Sequence, residues 1–274
     1  MPEIKTNDIQ TYYEINGNGL PVVFIHGGWV SHKMWQPQVD YFSSNFQVIT
    51  YDVRGHGYTG ESSKKQYSME LFADDLSALV EGLGINKPVI CGLSMGGMIA
   101  QVYAVKYPDN LSALILSDTA ASSALTTGDK ITKHVLAPEW LFRILVSLIG
   151  VKRYADFAFW YAGKSRSEKW VGLDKTVLSY EKQEMIQFGT REFNKIFSAL
   201  YDFKIQELSK IKVKTLIING EFESKAVFYH AKKMMQLIPD TKSLVIPNAG
   251  HTSNMENPQA FNKAMENFIK ELGM

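Results

Sequence analysis

Short runs of almost unbroken apolar residues alternate along the chain with longer stretches in which apolar positions recur every third or fourth residue. Residues 22–25, 47–51, 89–91, 113–116, 215–218 and 244–246 are runs of the first kind. Strands covered on both faces need that continuity, so these runs predict buried strands. Residues 69–83, 95–107, 226–237 and 258–272 predict helices, and Asn257 before Pro258 is a start signal for the last of them. Strand–helix alternation of this kind predicts an α/β fold, a mostly parallel central sheet with helices on both faces. The stretch "YYEINGNGLPVVF" predicts an antiparallel hairpin turning at Asn16-Gly17-Asn18-Gly19.

The alternation stops between residues 119 and 209, which hold no convincing strand but many aromatic residues, among them Trp140, Phe142, Trp160, Trp170 and Phe193. A structureless connection of that length does not suit a compact domain, so the segment predicts a helical insertion with its own packing. Following a strand's carboxyl end, it lies over the crevice where open α/β sheets bind ligands. Most of its rings are then the insertion's core, and a few line an apolar pocket; Trp140 and Trp160, with Trp29 from the sheet side, are the choices. The expected division is a core of residues 1–118 and 210–274 with a helical cap of 119–209.

Chemistry concentrates at Gly92-Leu93-Ser94-Met95-Gly96, a G-x-S-x-G sequence between a strand and a helix. A serine on so tight a turn takes a strained backbone, and glycines two positions either side relieve the collisions. The hydroxyl is left exposed at the top of the sheet, beside a helix amino terminus that favours negative charge. Serine needs a base. Of six histidines, His251 in "NAGHTSNMENP" follows the last strand and precedes the terminal helix, and it is the base chosen. His26 in "FIHGG" shapes the turn below the oxyanion site, and His56 in "DVRGHG" has a structural role. His32, His134 and His230 have no motif around them. The base needs an acid. Glu223 in "NGEFESK" is the choice, with Asp118 in "LILSDT" as rival and Glu221 third. Backbone amides of Met95 and Gly28 are assigned to the oxyanion, because such donors need no reorganisation when charge develops.

The 274 residues suffice for one α/β domain with an insertion, and the charge is balanced at +1. No concentrated basic surface is available, so nucleic acid is not expected as a partner. A single cysteine, Cys91, suits a reducing compartment. The polar "MPEIKTNDIQ" lacks the apolar stretch of a secretory signal, and "WLFRILVSLIGV" is short and interrupted by Arg143. A soluble, cytoplasmic protein without membrane contact is expected. No His-Glu-x-x-His sequence, cysteine pair or phosphate loop is present, so neither metal nor organic cofactor is expected. The glycines at 92, 96 and 97 do not follow the first strand of a dinucleotide-binding unit, which makes an oxidoreductase a weak competitor. Oligomeric state is not readable.

Taken in order, "HGG" after a strand, "YDVRGHG", "GLSMGG" and "NAGH" resemble the α/β-hydrolase fold family over essentially the whole chain. The stretch "CGLSMGGMIAQVYAVKYPDNLSALILSDTA" is especially similar to the branch of 3-oxoadipate enol-lactonases and small carboxylesterases. The resemblance implies a sheet of about eight strands with a helical cap after the sixth. It also implies a triad ordered Ser94, acid, His251, and hydrolysis of a small ester or lactone through an acyl-enzyme. The acid usually follows the seventh strand, which favours Glu223 over Asp118, although aspartate is the commoner residue there. Dehalogenases and epoxide hydrolases of this fold place aspartate at the nucleophile, so Ser94 points to acyl transfer. An enol-lactone dicarboxylate requires a fixed cation, and Arg143, Lys152, Arg153 and Arg166 lie in the insertion without a readable orientation. The general esterase therefore ranks above the lactonase, and a non-catalytic small-molecule binder of the same fold is the remaining alternative.

Overall fold

Eight strands form one sheet in the order β1-β2-β4-β3-β5-β6-β7-β8. They are β1 Glu3–Thr6, β2 Ile9–Asn16, β3 Leu20–Ile25, β4 Phe46–Tyr51, β5 Val89–Leu93, β6 Ala113–Ser117, β7 Thr215–Gly220 and β8 Thr241–Ile246. The coordinates are a computed structural model, which describes residues 2–136, 138–165 and 174–273. Strands β3 to β8 are parallel, with β3 between β4 and β5, while β2 runs antiparallel to both β1 and β4. The α/β fold with a mostly parallel sheet is therefore present. No described helix is long and apolar enough to cross a membrane.

Helices cover both faces. They are α1 Gln36–Phe42, α2 Met69–Gly82, α3 Met95–Lys106, α4 Thr127–Ile131, α5 Glu139–Ile149, α6 Val151–Ser165, α7 Lys175–Met185, α8 Thr190–Asp202, α9 Lys225–Leu237, α10 Ser253–Glu256 and α11 Pro258–Glu271. Alternation along β3 shows why two layers are needed. Val23 and Ile25 join a core with Phe72 and Leu76 of α2 and Ile99 and Tyr103 of α3. Val22 and Phe24 join the opposite core with Phe42 of α1 and Phe261 and Met265 of α11. Residues two apart share a face, so a strand buried on both sides reads as an unbroken apolar run.

The expected hairpin between β2 and β3 does not form. Strand β4 inserts between them, pairing antiparallel with β2 and parallel with β3. The Asn16–Gly19 connection instead passes across the start of β4, and a Cβ on Gly17 would stand 2.1 Å from the Ser43 carbonyl oxygen. Gly17 serves a crossing there, at a positive φ of 76°. The hairpin that does exist joins β1 and β2, with Asn7 at φ 52° in its turn. Strand β8 also departs from the buried reading: it is a sheet edge, with Leu244 45% and Val245 54% exposed.

The helices α4 to α8 all fall between β6 and β7. One of them is tied to the core by buried polar groups. On α8, Lys195 is paired with Glu192 and donates to the Ser62 carbonyl at 2.8 Å, and the Tyr67 hydroxyl donates to Glu192 at 2.5 Å. Phe193 of the same helix stacks on Trp29 with ring centroids 4.7 Å apart.

Candidate active site

Ser94 caps α3 directly after β5, with φ 54° and ψ −116°. That conformation is rare for a residue with a side chain, and its neighbours show how the turn is accommodated. A Cβ on Gly92 would lie 2.2 Å from the Gly96 carbonyl oxygen, and one on Gly96 would lie 2.1 Å from the Ile25 carbonyl oxygen. The glycines thus let α3 start hard against the end of β3. Backbone cannot give way as a side-chain tip can, so Gly96→Ala is expected to destabilise the fold by about 3 kcal/mol. A lowered urea midpoint in chemical denaturation checks this.

The Ser94 hydroxyl lies 3.0 Å from His251 Nε2, and His251 Nδ1 lies 2.5 Å from Glu223 Oε2. A carboxylate only accepts, so Nδ1 carries the proton and Nε2 is left to accept from the Ser94 hydroxyl. The residues come from three loops at one end of the sheet, and glycine again explains the approach. A Cβ on Gly220 would lie 2.1 Å from the Gly250 carbonyl oxygen, so the loop after β7 and the loop after β8 run backbone against backbone. The Phe222 amide donates to the Ala249 carbonyl at 2.9 Å across that contact. Glu223 folds its second carboxylate oxygen back onto the Ser224 amide at 2.5 Å, which takes up the length of its extra methylene.

The two other acids are placed elsewhere. Asp118 accepts from the Gly220 amide at 2.8 Å, from Ser117 at 2.8 Å and from Ser253 at 2.6 Å. It fastens the loops from beneath, and burial followed by the nearby Glu223 charge raises its pKa. Glu221 accepts from the Asn248 amide at 2.9 Å and braces the turn before His251. Burial alone would lower the His251 imidazole, but the Glu223 carboxylate, joined by the charges of Asp118 and Glu181, outweighs it, and the pKa rises from an ordinary 6.5 to about 9.

His26 is fully buried; its Nε2 accepts from the Val53 amide at 2.9 Å, so its Nδ1 donates to the Gly27 carbonyl at 2.7 Å. It pins the turn that carries Gly28 and Trp29. His56 meets the Arg54 carbonyl at 3.1 Å, His32 meets Asp52 at 2.9 Å, and His230 accepts from the Ala121 amide at 3.2 Å. All three brace loops. The Ser94 carbonyl accepts from the amides of Gly97 and Met98, while no turn or cap hydrogen bond among the described residues uses the amide of Gly28 or Met95.

A cavity of about 280 Å³ opens on this cluster, lined by Gly28, Trp29, Val30, Ser94, Ala158, Phe159, Glu181, Met185, Leu200 and His251. Trp29 is among the residues lining it. Trp140 and Trp160, expected beside it, are 63% and 55% exposed and are not among the lining residues. Ring-rich helices hide which face turns inward, and α6 presents Phe159 to the cavity rather than the adjacent Trp160. Trp170 and Arg166 lie outside the described residues. Of the remaining cations considered, Arg143 pairs with Glu139 and Lys152 with Asp156 on the surface, and Arg153 is exposed. Glu181 is the residue that sequence reasoning missed. Its signal was a carboxylate one helical turn beyond the buried Val177 and one before Met185, on the inward face of α7.

Residues 21–258 match the family described as the alpha/beta hydrolase fold, and the chain belongs to it. It is 27% identical to 3-oxoadipate enol-lactonase 2 of Acinetobacter baylyi over 251 residues, covering 91% of this chain and 88% of the relative. It is 25% identical to epoxide hydrolase 3 of Xenopus tropicalis, covering 98% of this chain and 77% of that one. Among solved structures, a thermophilic esterase from Thermogutta terrifontis superposes with a TM-score of 0.81 at 26% identity, covering 100% of this chain and 99% of the other. Membership and these relatives make the chain a hydrolase, with ester or lactone cleavage supported at the level of the family.

Proposed function

We propose that this chain is a serine hydrolase cleaving a carboxylic ester or lactone of a small, largely apolar molecule through an acyl-enzyme. The observation that carries the reading is the unbroken line from the Ser94 hydroxyl through His251 to Glu223, with contacts of 3.0 and 2.5 Å, opening on an apolar cavity. His251 Nε2 takes the Ser94 proton as the oxygen attacks the carbonyl carbon. The carbonyl oxygen becomes an anion held by the amides of Gly28 and Met95, each such donor being worth about a hundred- to a thousand-fold in rate. His251 then protonates the departing alcohol, and the acyl group remains on Ser94. Water, deprotonated by the same imidazole, attacks the acyl carbon and releases the acid. Glu223 orients His251 and stabilises its charged form; no step calls for a metal or an organic cofactor.

Ester is ranked above a carboxylate-bearing lactone because, among the described residues, no lysine or arginine lines the cavity. A fluorophosphonate probe tests the assignment directly. Transfer of its phosphonyl group to the Ser94 oxygen, with loss of fluoride, is expected within minutes and is read by mass spectrometry of the peptide spanning Ser94. Inertness towards the probe, or labelling at another residue only, removes the catalytic reading and leaves a binding protein of the same fold.

A further inference from the structure

Glu181 projects from α7 of the cap into the space above the reacting pair. One of its carboxylate oxygens accepts from the hydroxyl of Thr252, the residue after His251. Its side chain lines the 280 Å³ cavity and also a smaller one of about 60 Å³, and Ser94 and His251 line both. Apart from Ser94, His251 and Glu181, the described residues of the larger cavity are apolar side chains and glycine. Among the described residues, no lysine or arginine lines either cavity. The hydrolytic steps do not need this acid, because the imidazole is already paired through Nδ1 with Glu223. An acid set in an apolar substrate pocket, outside the proton path, acts on whatever shares the pocket with it. Burial raises its pKa, with the Thr252 bond and the His251 charge opposing.

Building on the ester-hydrolase reading, we propose that Glu181 is a specificity-determining residue that favours esters whose pocket-bound part carries a cationic amine and rejects those carrying a free carboxylate. An ammonium group brought beside Glu181 forms a charge-assisted hydrogen bond where few water molecules compete. A second carboxylate in the same apolar space meets like charge with no cation to offset it, and one of the two must take up a proton. Neutral alkyl chains feel neither effect and pack against Phe159, Met185 and Leu200. The substrate class is thus small aminoacyl or aminoalkyl esters, with plain alkyl esters next and half-esters of dicarboxylic acids last.

Three ethyl esters of matched length test this at pH 8: ethyl 6-aminohexanoate, ethyl hexanoate and monoethyl adipate. The wild-type protein is expected to process the amine at a kcat/KM at least fivefold above the neutral ester, and the half-ester at least tenfold below it. Glu181→Gln, which keeps an acceptor for Thr252, is expected to compress both ratios at least fivefold, while Glu181→Asp, which keeps the charge, preserves their order. If Glu181 only fastened the Thr252 loop, all three esters would slow by one factor and the ratios would stand, which overturns the proposal. Wild-type protein that does not discriminate against the half-ester overturns it as well. The corresponding amides (6-aminohexanamide, hexanamide and adipic acid monoamide) are titrated by calorimetry in parallel. Should no ester be turned over, the hydrolytic reading fails by itself, and the ranking of amide affinities still decides the role of Glu181.

Discussion

Ser94→Ala is expected to lower kcat/KM for a short-chain aryl ester such as 4-nitrophenyl butyrate on the order of a million-fold, with the fold intact. The size of the loss follows from the way the residues act as a unit. Without the hydroxyl, His251 has nothing to activate, and no acyl-enzyme forms. What remains is the orientation of substrate and two backbone donors, which still exceed catalysis by water alone. Stability should change little. Alanine can occupy the backbone conformation that serine already holds at φ 54° and ψ −116°, and the side-chain hydrogen bond removed is the one to His251. Steady-state assays beside a thermal melt separate the two effects. Activity within tenfold of the parent would remove the assigned nucleophile, whereas a collapsed melt would show that the turn, rather than the chemistry, had been damaged.

Glu223→Gln is expected to cost about ten-thousand-fold in kcat and to move the pH profile. The sign follows from the charges around the imidazole. In the folded protein the His251 pKa is raised to about 9. The base works only when Nε2 is unprotonated, so activity of the parent should climb with pH through the range below 9 and level off above it. Removing the Glu223 charge removes the largest influence holding the proton on, so the rising limb of the variant should lie at lower pH. The same linkage acts on stability: the raised pKa contributes stability fully present below the unfolded value of 6.5 and lost as pH rises through about 9. Titrating kcat/KM between pH 5 and 10 for both proteins reads the shift. Coincident limbs would mean that Glu223 does not govern the imidazole, and Asp118 would have to be reconsidered.

Much of this arrangement is written in local patterns, and the exceptions have physical causes. The turn around Ser94 was readable because Gly92 and Gly96 sit where backbone meets backbone, a requirement that no other residue type satisfies. Parallel strands were readable because burial on both faces leaves few polar positions. Pairing partners were less so: the Asn-Gly-Asn-Gly turn carries every hairpin signal, yet β4, arriving later in the chain, takes the place between β2 and β3. Exposure of β8 was hidden for the same reason, since Leu244 and Val245 look alike at an edge or a centre. Between β6 and β7, Trp140 and Trp160 could not be oriented because α5 and α6 carry large apolar side chains around much of their circumference. Glu223 and Asp118 both lie just past strands at the same rim, and contacts made far along the chain separate their duties: Glu223 meets His251 Nδ1, whereas Asp118 accepts from the Gly220 amide.

The two walls of the cavity are held by different means, and that bears on how this lineage can acquire new substrates. Leu200 belongs to α8, whose Lys195 and Glu192 are 6% and 2% exposed. Stripping either partner leaves a stranded ion at a penalty of about 3–5 kcal/mol, so change on that side is costly. Ala158 and Phe159 belong to α6, which is held by apolar packing: Val151 and Ala155 are buried and Tyr154 meets Phe193 edge-on, while the Lys182–Asp156 pair to α7 at 2.7 Å lies in solvent. Volume-conserving exchange in such packing costs under about 1.5 kcal/mol, so variation can accumulate on one helix, widening or narrowing the chamber, while its opposite side and the reacting residues stay where they are.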